Sequence, residues 1–319
     1  MTAVFLDFAT LGSKDVDPSP LRGTLPELQF FDSTPAPLVG ERIAEKEFVF
    51  VNKVRLGREE LQRAEALRYI GVAATGTDNI DKDFARERGI AVTNIQRYCT
   101  QSVVEHVIGV MLMMTHSLQP YREDVARGDW QKAETFCLLS RPIRELSSLT
   151  LGIVGHGELG RAVGDAAKRL GMRVLVSARP GEPQTGNGQR VDFETLLGEV
   201  DVLTLHCPLN EATRGLINRD TLARMKPDAY LINTARGALV DSDALVEALR
   251  NGRLAGAAVD VLAEEPPGDD ESLLAYQGDR LIVTPHIAWS SVTARQRAIE
   301  ELAANVAAFL RGQARCRIT

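Results

Sequence analysis

Four short blocks in the second half of the chain each end an apolar run on residues able to do chemistry. They are Leu231-Ile-Asn-Thr-Ala-Arg-Gly237, Ala257-Ala-Val-Asp260, Glu264-Glu-Pro-Pro267 and Val283-Thr-Pro-His-Ile-Ala-Trp289. In an open parallel sheet, ligands lie outside the carboxyl ends of the strands. Runs of this kind therefore deliver Arg236, a glutamate and His286 to one rim. An arginine holds an anion, a histidine exchanges a proton, and a carboxylate keeps that proton in place. Such a set suits the reduction of a 2-keto acid. The plainer alternatives are an Arg236–Asp241 ion pair, His286 as a cap of the last helix, and a solvated Glu265.

A second signal lies upstream. Gly155-His-Gly-Glu-Leu-Gly160 follows the apolar run Thr150-Leu-Gly-Ile-Val154 and opens a helical segment. In that setting the first glycine makes the turn, the second lets the backbone approach a pyrophosphate, and the third allows helix and strand to pack closely. The N–H groups at the start of the helix then face the phosphates. Gly155, Gly157, Glu158, Leu159 and Gly160 are accordingly expected to hold a dinucleotide. The following strand ends Val176-Ser-Ala-Arg179, without the carboxylate that usually bonds the ribose hydroxyls of NAD. Ser177, Ala178 and Arg179 occupy that place, and an arginine can pair with a 2′-phosphate. NADP(H) is the expected cofactor, with NAD(H) possible. The alternative for Arg179 is a solvated loop residue, and Arg190 stands in reserve as a second cation. Later strand ends add His206, Cys207, Pro208, Thr234 and Ala235 to the cofactor set; His206 either lines the adenine pocket or is structural.

These residues need elements to position them. Strands are expected at Val4–Asp7, Leu28–Phe31, Phe48–Asn52, Tyr69–Ala73 and Ile90–Thr93, with helices over Glu41–Glu47, Glu59–Leu67 and Lys82–Arg88. Strands alternating with helices imply parallel crossovers and a doubly wound sheet. Ser102–Leu118 reads as one long apolar helix, in which His106 and His116 look like packing residues. A second alternating series runs from Thr150 to Thr284, interrupted by a Gly- and Pro-rich loop over Arg179–Arg190. The amphipathic helix Ser291–Leu310 comes after this series and is expected to return to the first domain. The expected fold is α/β with two doubly wound parallel-sheet domains. A dinucleotide-binding domain, 100–289, is inserted into a discontinuous substrate-binding domain, 1–99 and 290–319.

Composition narrows the classes of function. At 319 residues the chain exceeds one small core. A net charge of −6 argues against a nucleic-acid or phospholipid surface, so an anionic ligand must be held by local donors. No apolar run approaches the roughly 20 residues needed to span a bilayer, and Met1-Thr-Ala-Val-Phe-Leu-Asp7 lacks the basic start of a signal peptide. Cys99, Cys137, Cys207 and Cys316 are scattered without metal-site spacing, so no metal is expected. A cytoplasmic location fits. For the substrate anion, the small residues Ala74-Thr-Gly-Thr77 offer backbone N–H groups for a nest.

Taken together, Asn52-Lys53, Ala74-Thr-Gly-Thr-Asp-Asn-Ile-Asp81, Ser102-Val-Val-Glu-His106, Gly128-Asp-Trp130, Gly155–Gly160, Asn233–Gly237, Val259–Pro266 and Pro285-His-Ile-Ala288 cover nearly the whole chain. In these blocks the chain resembles the D-isomer-specific 2-hydroxyacid dehydrogenases, most of all the D-glycerate dehydrogenase or hydroxypyruvate/glyoxylate reductase branch. The resemblance implies a Rossmann cofactor domain set into a flavodoxin-like substrate domain. It implies that Arg236 binds the substrate carboxylate and polarises the keto oxygen, that His286 is the acid of reduction, and that Glu265 bonds His286. Glu264 competes for that last role; alignment through the Glu-Pro dipeptide favours Glu265. It further implies that Asp260 meets the nicotinamide carboxamide. Lys53, Ala74, Thr75 and Gly76 would face the substrate in a cleft that excludes water on closure, with Trp289 either bounding the pocket or simply packing. A homodimer joined through Ser102–Leu118 and Gly128–Leu146 is the family expectation. The alternatives are an NAD-dependent relative acting on another 2-hydroxy acid, and a cofactor-sensing binding protein without catalysis.

Overall fold

The computed structural model describes residues 1–12, 14–178 and 190–319. In chain order its strands and α-helices are β1 (Ala3–Phe5), α1 (Ser19–Thr24), β2 (Leu28–Phe30), α2 (Ala36–Ile43), β3 (Phe48–Val51), α3 (Arg58–Arg63), β4 (Tyr69–Val72), α4 (Lys82–Glu87) and β5 (Ala91–Thr93). There follow α5 (Thr100–Thr115), α6 (Leu118–Ala126), β6 (Thr150–Val154), α7 (Glu158–Arg169), β7 (Arg173–Ser177), β8 (Arg190–Val191), α8 (Phe193–Glu199) and β9 (Val202–Leu205). The chain ends with α9 (Arg219–Leu222), β10 (Tyr230–Asn233), α10 (Ser242–Arg250), β11 (Gly256–Val259), β12 (Leu281–Val283) and α11 (Val292–Leu310). Two compact units result, Met1–Cys99 with Ser290–Thr319, and Thr100–Trp289.

The first unit is a five-stranded parallel sheet in the order β2-β1-β3-β4-β5, the flavodoxin-like arrangement with its switch point between β1 and β3. Phe48-Val-Phe-Val51 is buried at every position, as expected of a strand covered on both faces. One face carries an aromatic cluster in which Phe48 and Tyr69 both meet Phe309 of α11. The other carries Val4, Leu6, Val49, Val51, Ile70 and Val72 against α2, α3 and α4. After α11 the chain returns to the sheet, where Arg317 bridges Thr93 antiparallel and Ile318 N donates to Val92 O.

The second unit is a seven-stranded parallel sheet in the order β12-β11-β10-β9-β6-β7-β8. From β8 inward this is the Rossmann order with one further strand, β12, and its switch point lies between β6 and β9. Leu203, Leu231, Leu245, Leu249 and Val259 lie in its core, and α5 packs against α7.

Several element boundaries differ from expectation. The helix expected over 41–47 spans Ala36–Ile43, because Pro35 and Pro37 start it: a proline's fixed φ and missing N–H suit a first turn. The long helix over 102–118 is two, α5 and α6, broken at Ser117 by a left-handed φ of 51°. Arg190 belongs to a strand, where it pairs in register with Val176. The short helices α1 and α9 carry too few apolar positions for periodicity to reveal them, and α8, with Phe193, Leu196 and Leu197 at helical spacing, is only seven residues long.

Candidate active site

At the carboxyl edge of the second sheet, β6 turns directly into α7 through Gly155–Gly160. Gly155 has a left-handed φ of 96°, and a Cβ there would meet the backbone of His206 and Cys207 at 2.5 Å. A Cβ on Gly160 would lie 2.0 Å from Gly155 O. Gly157 differs: among the described residues nothing stands within 4 Å of where its Cβ would be. Two glycines thus serve packing, while the third borders open space at the start of the 12-residue α7. Among the described residues no side chain caps that helix start. This is the cradle a pyrophosphate requires. Thr234 Oγ1, past the end of β10, is buried without a hydrogen-bond partner among the described residues, a second opening for a ligand. The residues present fit a dinucleotide.

The expected cofactor residues sit as follows. Glu158 Oε1 accepts a bond from Thr100 Oγ1, which ties the first turn of α7 to α5. Ser177 is buried at 4% exposure and its hydroxyl donates to Ala178 O at 2.8 Å, so that side chain is already engaged. Arg179 lies outside the described residues. His206 Nε2 is 3.0 Å from Thr204 Oγ1, and burial pushes His206 down to about 4. Burial likewise pushes the Cys207 thiol up.

The Arg236 turn is built by its neighbours. Asn233, fully buried, accepts from Ala235 N at 3.1 Å and donates to Arg236 O at 2.9 Å. A Cβ on Gly237 would lie 1.9 Å from Leu262 C, so only glycine lets this turn rest against the 262–263 backbone. That close approach brings the Arg236 turn beside the loop carrying Glu265. Arg236 is exposed, and its Nη1 donates to Ala235 O at 2.8 Å. Asp241 caps α10 by accepting from Ala244 N.

His286 Nδ1 lies 2.6 Å from Glu265 Oε2. The other carboxylate oxygen of Glu265 accepts from Leu262 N at 2.9 Å, so the acceptor is itself fixed. Of the two neighbouring glutamates, Glu265 meets the histidine. His286 adopts a left-handed φ of 55°, uncommon for a non-glycine residue and therefore held by its surroundings. With Nδ1–H directed at the carboxylate, Nε2 is the nitrogen left to exchange a proton.

The support for that backbone is Asp260, 2% exposed. Its carboxylate accepts from Ile287 N at 2.9 Å, Ala288 N at 2.8 Å and Thr284 Oγ1 at 2.5 Å. Its carbonyl accepts from His286 N at 2.8 Å. Asp260 therefore grips the histidine loop with its buried carboxylate. His106, read as packing, stands 3.4 Å from Thr284 Oγ1 and 4.0 Å from Asp260 Oδ1. Ser102 Oγ donates to Ala288 O at 2.8 Å. Asn233, His106 and Ser102 were missed as supports; their polarity within apolar segments was the available signal.

In the first unit, Lys53 follows β3 and Ala74–Gly76 follows β4. Asn94 Nδ2 donates to Thr75 O at 2.8 Å, and Thr75 Oγ1 donates to Ile95 O at 3.0 Å. Trp289 is half-buried at the end of the second unit. Among the described residues no cluster of three His, Cys, Asp or Glu side chains is placed to hold a metal, and no helix is long and apolar enough to cross a membrane.

A doubly wound sheet with a glycine cradle at its switch point, and a histidine–carboxylate pair and an arginine on the same edge, defines a nicotinamide-dependent oxidoreductase. Residues 108–288 match the family described as D-isomer specific 2-hydroxyacid dehydrogenase, NAD binding domain. The chain is 44% identical over 280 residues to a glycerate dehydrogenase of Methylorubrum extorquens, covering 88% of this chain and 87% of that one. It is 34% identical to a hydroxypyruvate reductase of Blautia hydrogenotrophica, covering 98% of each. Among solved structures, D-lactate dehydrogenase from Aquifex aeolicus, complexed with NAD and lactic acid, aligns with a TM-score of 0.82 at 28% identity over 97% of this chain and 96% of that one. The chain belongs to the D-isomer specific 2-hydroxyacid dehydrogenase family. It is a D-2-hydroxyacid dehydrogenase that uses a nicotinamide cofactor.

Proposed function

We propose that the protein reduces a small 2-keto acid, hydroxypyruvate to D-glycerate and glyoxylate to glycolate, with NADP(H) preferred over NAD(H). The observation that carries the chemistry is the 2.6 Å bond between His286 Nδ1 and Glu265 Oε2. The reduced nicotinamide supplies the hydride. Arg236 pairs with the substrate carboxylate and polarises the keto oxygen, where its guanidinium offers a two-pronged donor. His286 Nε2 gives a proton to that oxygen as negative charge develops on it, and Glu265 holds the imidazole in the tautomer and orientation the transfer needs. Lys53 and the Ala74–Gly76 backbone supply further donors to the anion. The unit formed by 1–99 and 290–319 is, on this reading, the substrate-binding domain, and 100–289 the cofactor-binding domain.

The cofactor preference rests on the end of β7, where Ser177 and Ala178 offer no carboxylate to repel a 2′-phosphate. It also rests on the cations nearby. His156, inside the glycine motif, is held below its ordinary value by burial and then by Arg190, Arg161 and Lys168, so these positive charges are felt at the cradle. The choice of keto acid rests on the likeness to the glycerate dehydrogenase and hydroxypyruvate reductase. Absorbance at the nicotinamide band, followed with hydroxypyruvate, glyoxylate and pyruvate and each cofactor in turn, tests both. Turnover of none of the three would sink the substrate reading.

A homodimer is part of the same proposal. Phe136 at 91% exposure and Leu139 at 78% lie in the 128–146 segment, large apolar side chains that a partner would cover. A monomeric mass by light scattering would exclude it.

A further inference from the structure

Asp7 lies two residues past the end of β1, and Asn52–Val54 immediately follows β3, so both stand at the switch point of the first sheet, where a ligand crevice is expected. A carboxylate in such a crevice would oppose an anionic substrate. The side chain is instead withdrawn: Asp7 is 4% exposed. Its Oδ1 accepts from Asn52 N at 2.8 Å, and its Oδ2 accepts from Lys53 N at 2.6 Å and Val54 N at 3.0 Å. Three consecutive N–H groups converging on one point make an anion nest, and here the protein's own carboxylate fills it.

The opposite side of the same loop is held as well. Asn79 Nδ2 donates to Val54 O at 2.9 Å and more weakly to Asn52 O at 3.4 Å. Asn52 Nδ2 donates to Thr10 Oγ1 at 3.0 Å, and Thr10 Oγ1 donates to Asp7 O at 2.6 Å. The peptide groups on both sides of Lys53 are therefore fixed, while the Lys53 side chain is exposed. Asn79 also belongs to the segment that follows Ala74–Thr77, so the two loops assigned to the substrate are joined.

We propose that Asp7 is a positioning residue for substrate binding: it fixes the backbone from which Lys53 reaches the keto acid. This rests on the assignment of Lys53 to the substrate. Asp7 plays no part in proton or hydride transfer, so its loss raises KM for the keto acid and leaves kcat and the KM of the nicotinamide cofactor in place. A role confined to folding would lower the melting temperature and move neither KM.

The test is steady-state kinetics on Asp7→Asn, Lys53→Ala and the double variant. The substrate is whichever of hydroxypyruvate, glyoxylate and pyruvate the wild type turns over fastest. Lys53→Ala and Asp7→Asn are each expected to raise KM about tenfold with kcat within about twofold. The double variant is expected to be no worse than the poorer single one, because residues acting through one contact are not additive. If Lys53→Ala raises KM but folded Asp7→Asn does not, or if the two effects multiply, the positioning role is overturned and the Lys53 assignment stands. If Lys53→Ala leaves KM unchanged, that assignment fails and the proposal with it. Should Asp7→Asn not fold, Asn79→Ala loosens the same loop from its other side. A rise in KM of about threefold or more then supports the proposal, and an unchanged KM overturns it.

Discussion

Asp260 and His286 are joined through the main chain, with the buried carboxylate of the first gripping the backbone that presents the second. Ile287 N and Ala288 N donate to the Asp260 carboxylate at 2.9 and 2.8 Å, and His286 N donates to Asp260 O at 2.8 Å. An aspartate at the end of β11 thereby sets the left-handed backbone of a residue beyond the end of β12. Replacing Asp260 by alanine leaves the Ile287 and Ala288 main-chain donors without their acceptor and removes the shorter bond of the Thr284 hydroxyl. A loss of about 2–4 kcal/mol in unfolding free energy is expected, because each unpaired buried group carries its own desolvation cost. Asp260→Asn keeps the volume but turns a donor toward donors, so kcat should fall even where the protein remains folded. Denaturant titration and turnover measured on the same samples check both.

His286 and Arg236 should fail differently. His286→Ala removes the proton donor, and kcat is expected to drop about a hundredfold or more with modest change in KM. Arg236→Ala removes a charge-assisted anchor of about 1.5–3 kcal/mol, so KM should rise as well. Initial rates over a range of keto acid separate the two patterns. Near-native activity in either variant would strike that residue from the mechanism.

Within the glycine motif, one added methyl should have opposite effects at two positions. Gly160→Ala forces a Cβ to within 2.0 Å of Gly155 O, so helix and strand must part and the melting temperature should fall by several degrees. Gly157→Ala meets nothing within 4 Å among the described residues, so the fold should stand while the methyl intrudes where the pyrophosphate approaches. Thermal melts with and without cofactor read out both, and the ligand-induced shift should be lost in Gly157→Ala.

The cofactor reading is exposed at two residues. Arg190→Ala should weaken NADPH by up to about 1.5–3 kcal/mol, roughly ten- to a hundredfold, and leave NADH nearly unchanged. Ala178→Asp should add an acceptor for a ribose hydroxyl and repel the phosphate, moving preference toward NADH. Cofactor titrations by fluorescence decide it. A wild-type preference for NADH would overturn the assignment and leave the dehydrogenase intact.

His206 makes stability depend on pH. Burial holds it at about 4 against an ordinary 6.5. Between those values the unfolded chain binds a proton that the folded one does not. This contribution is complete above about pH 6.5 and is lost as pH falls toward 4. Melting temperature should decline on acidification from pH 6.5 to 5, and His206→Asn should flatten the slope. An unchanged slope would remove His206 as the cause.

Much of this protein was legible in local pattern. Apolar runs such as Phe48–Val51 and Val202–Leu205, alternating with helical segments, imply parallel sheets covered on both faces, because only crossovers can link such strands. The glycines at 155, 157 and 160 carry their meaning in context, since a strand, a turn and a helix are consecutive in the chain. Arg236, Glu265 and His286 could be nominated by type because each ends an apolar run. Between Glu264 and Glu265 the resemblance favours Glu265, but residue type and spacing alone leave both open. Adjacent residues share composition and spacing, and the tertiary structure puts an oxygen of Glu265 2.6 Å from His286. The work of Asp7 and Asp260 was hidden for the same reason. Their partners are main-chain N–H groups 45 to 47 and 27 to 28 residues away, and every residue but proline carries such a group. A backbone donor leaves no mark in a sequence, so which loop a buried carboxylate will seize is decided by the order of strands in the sheet.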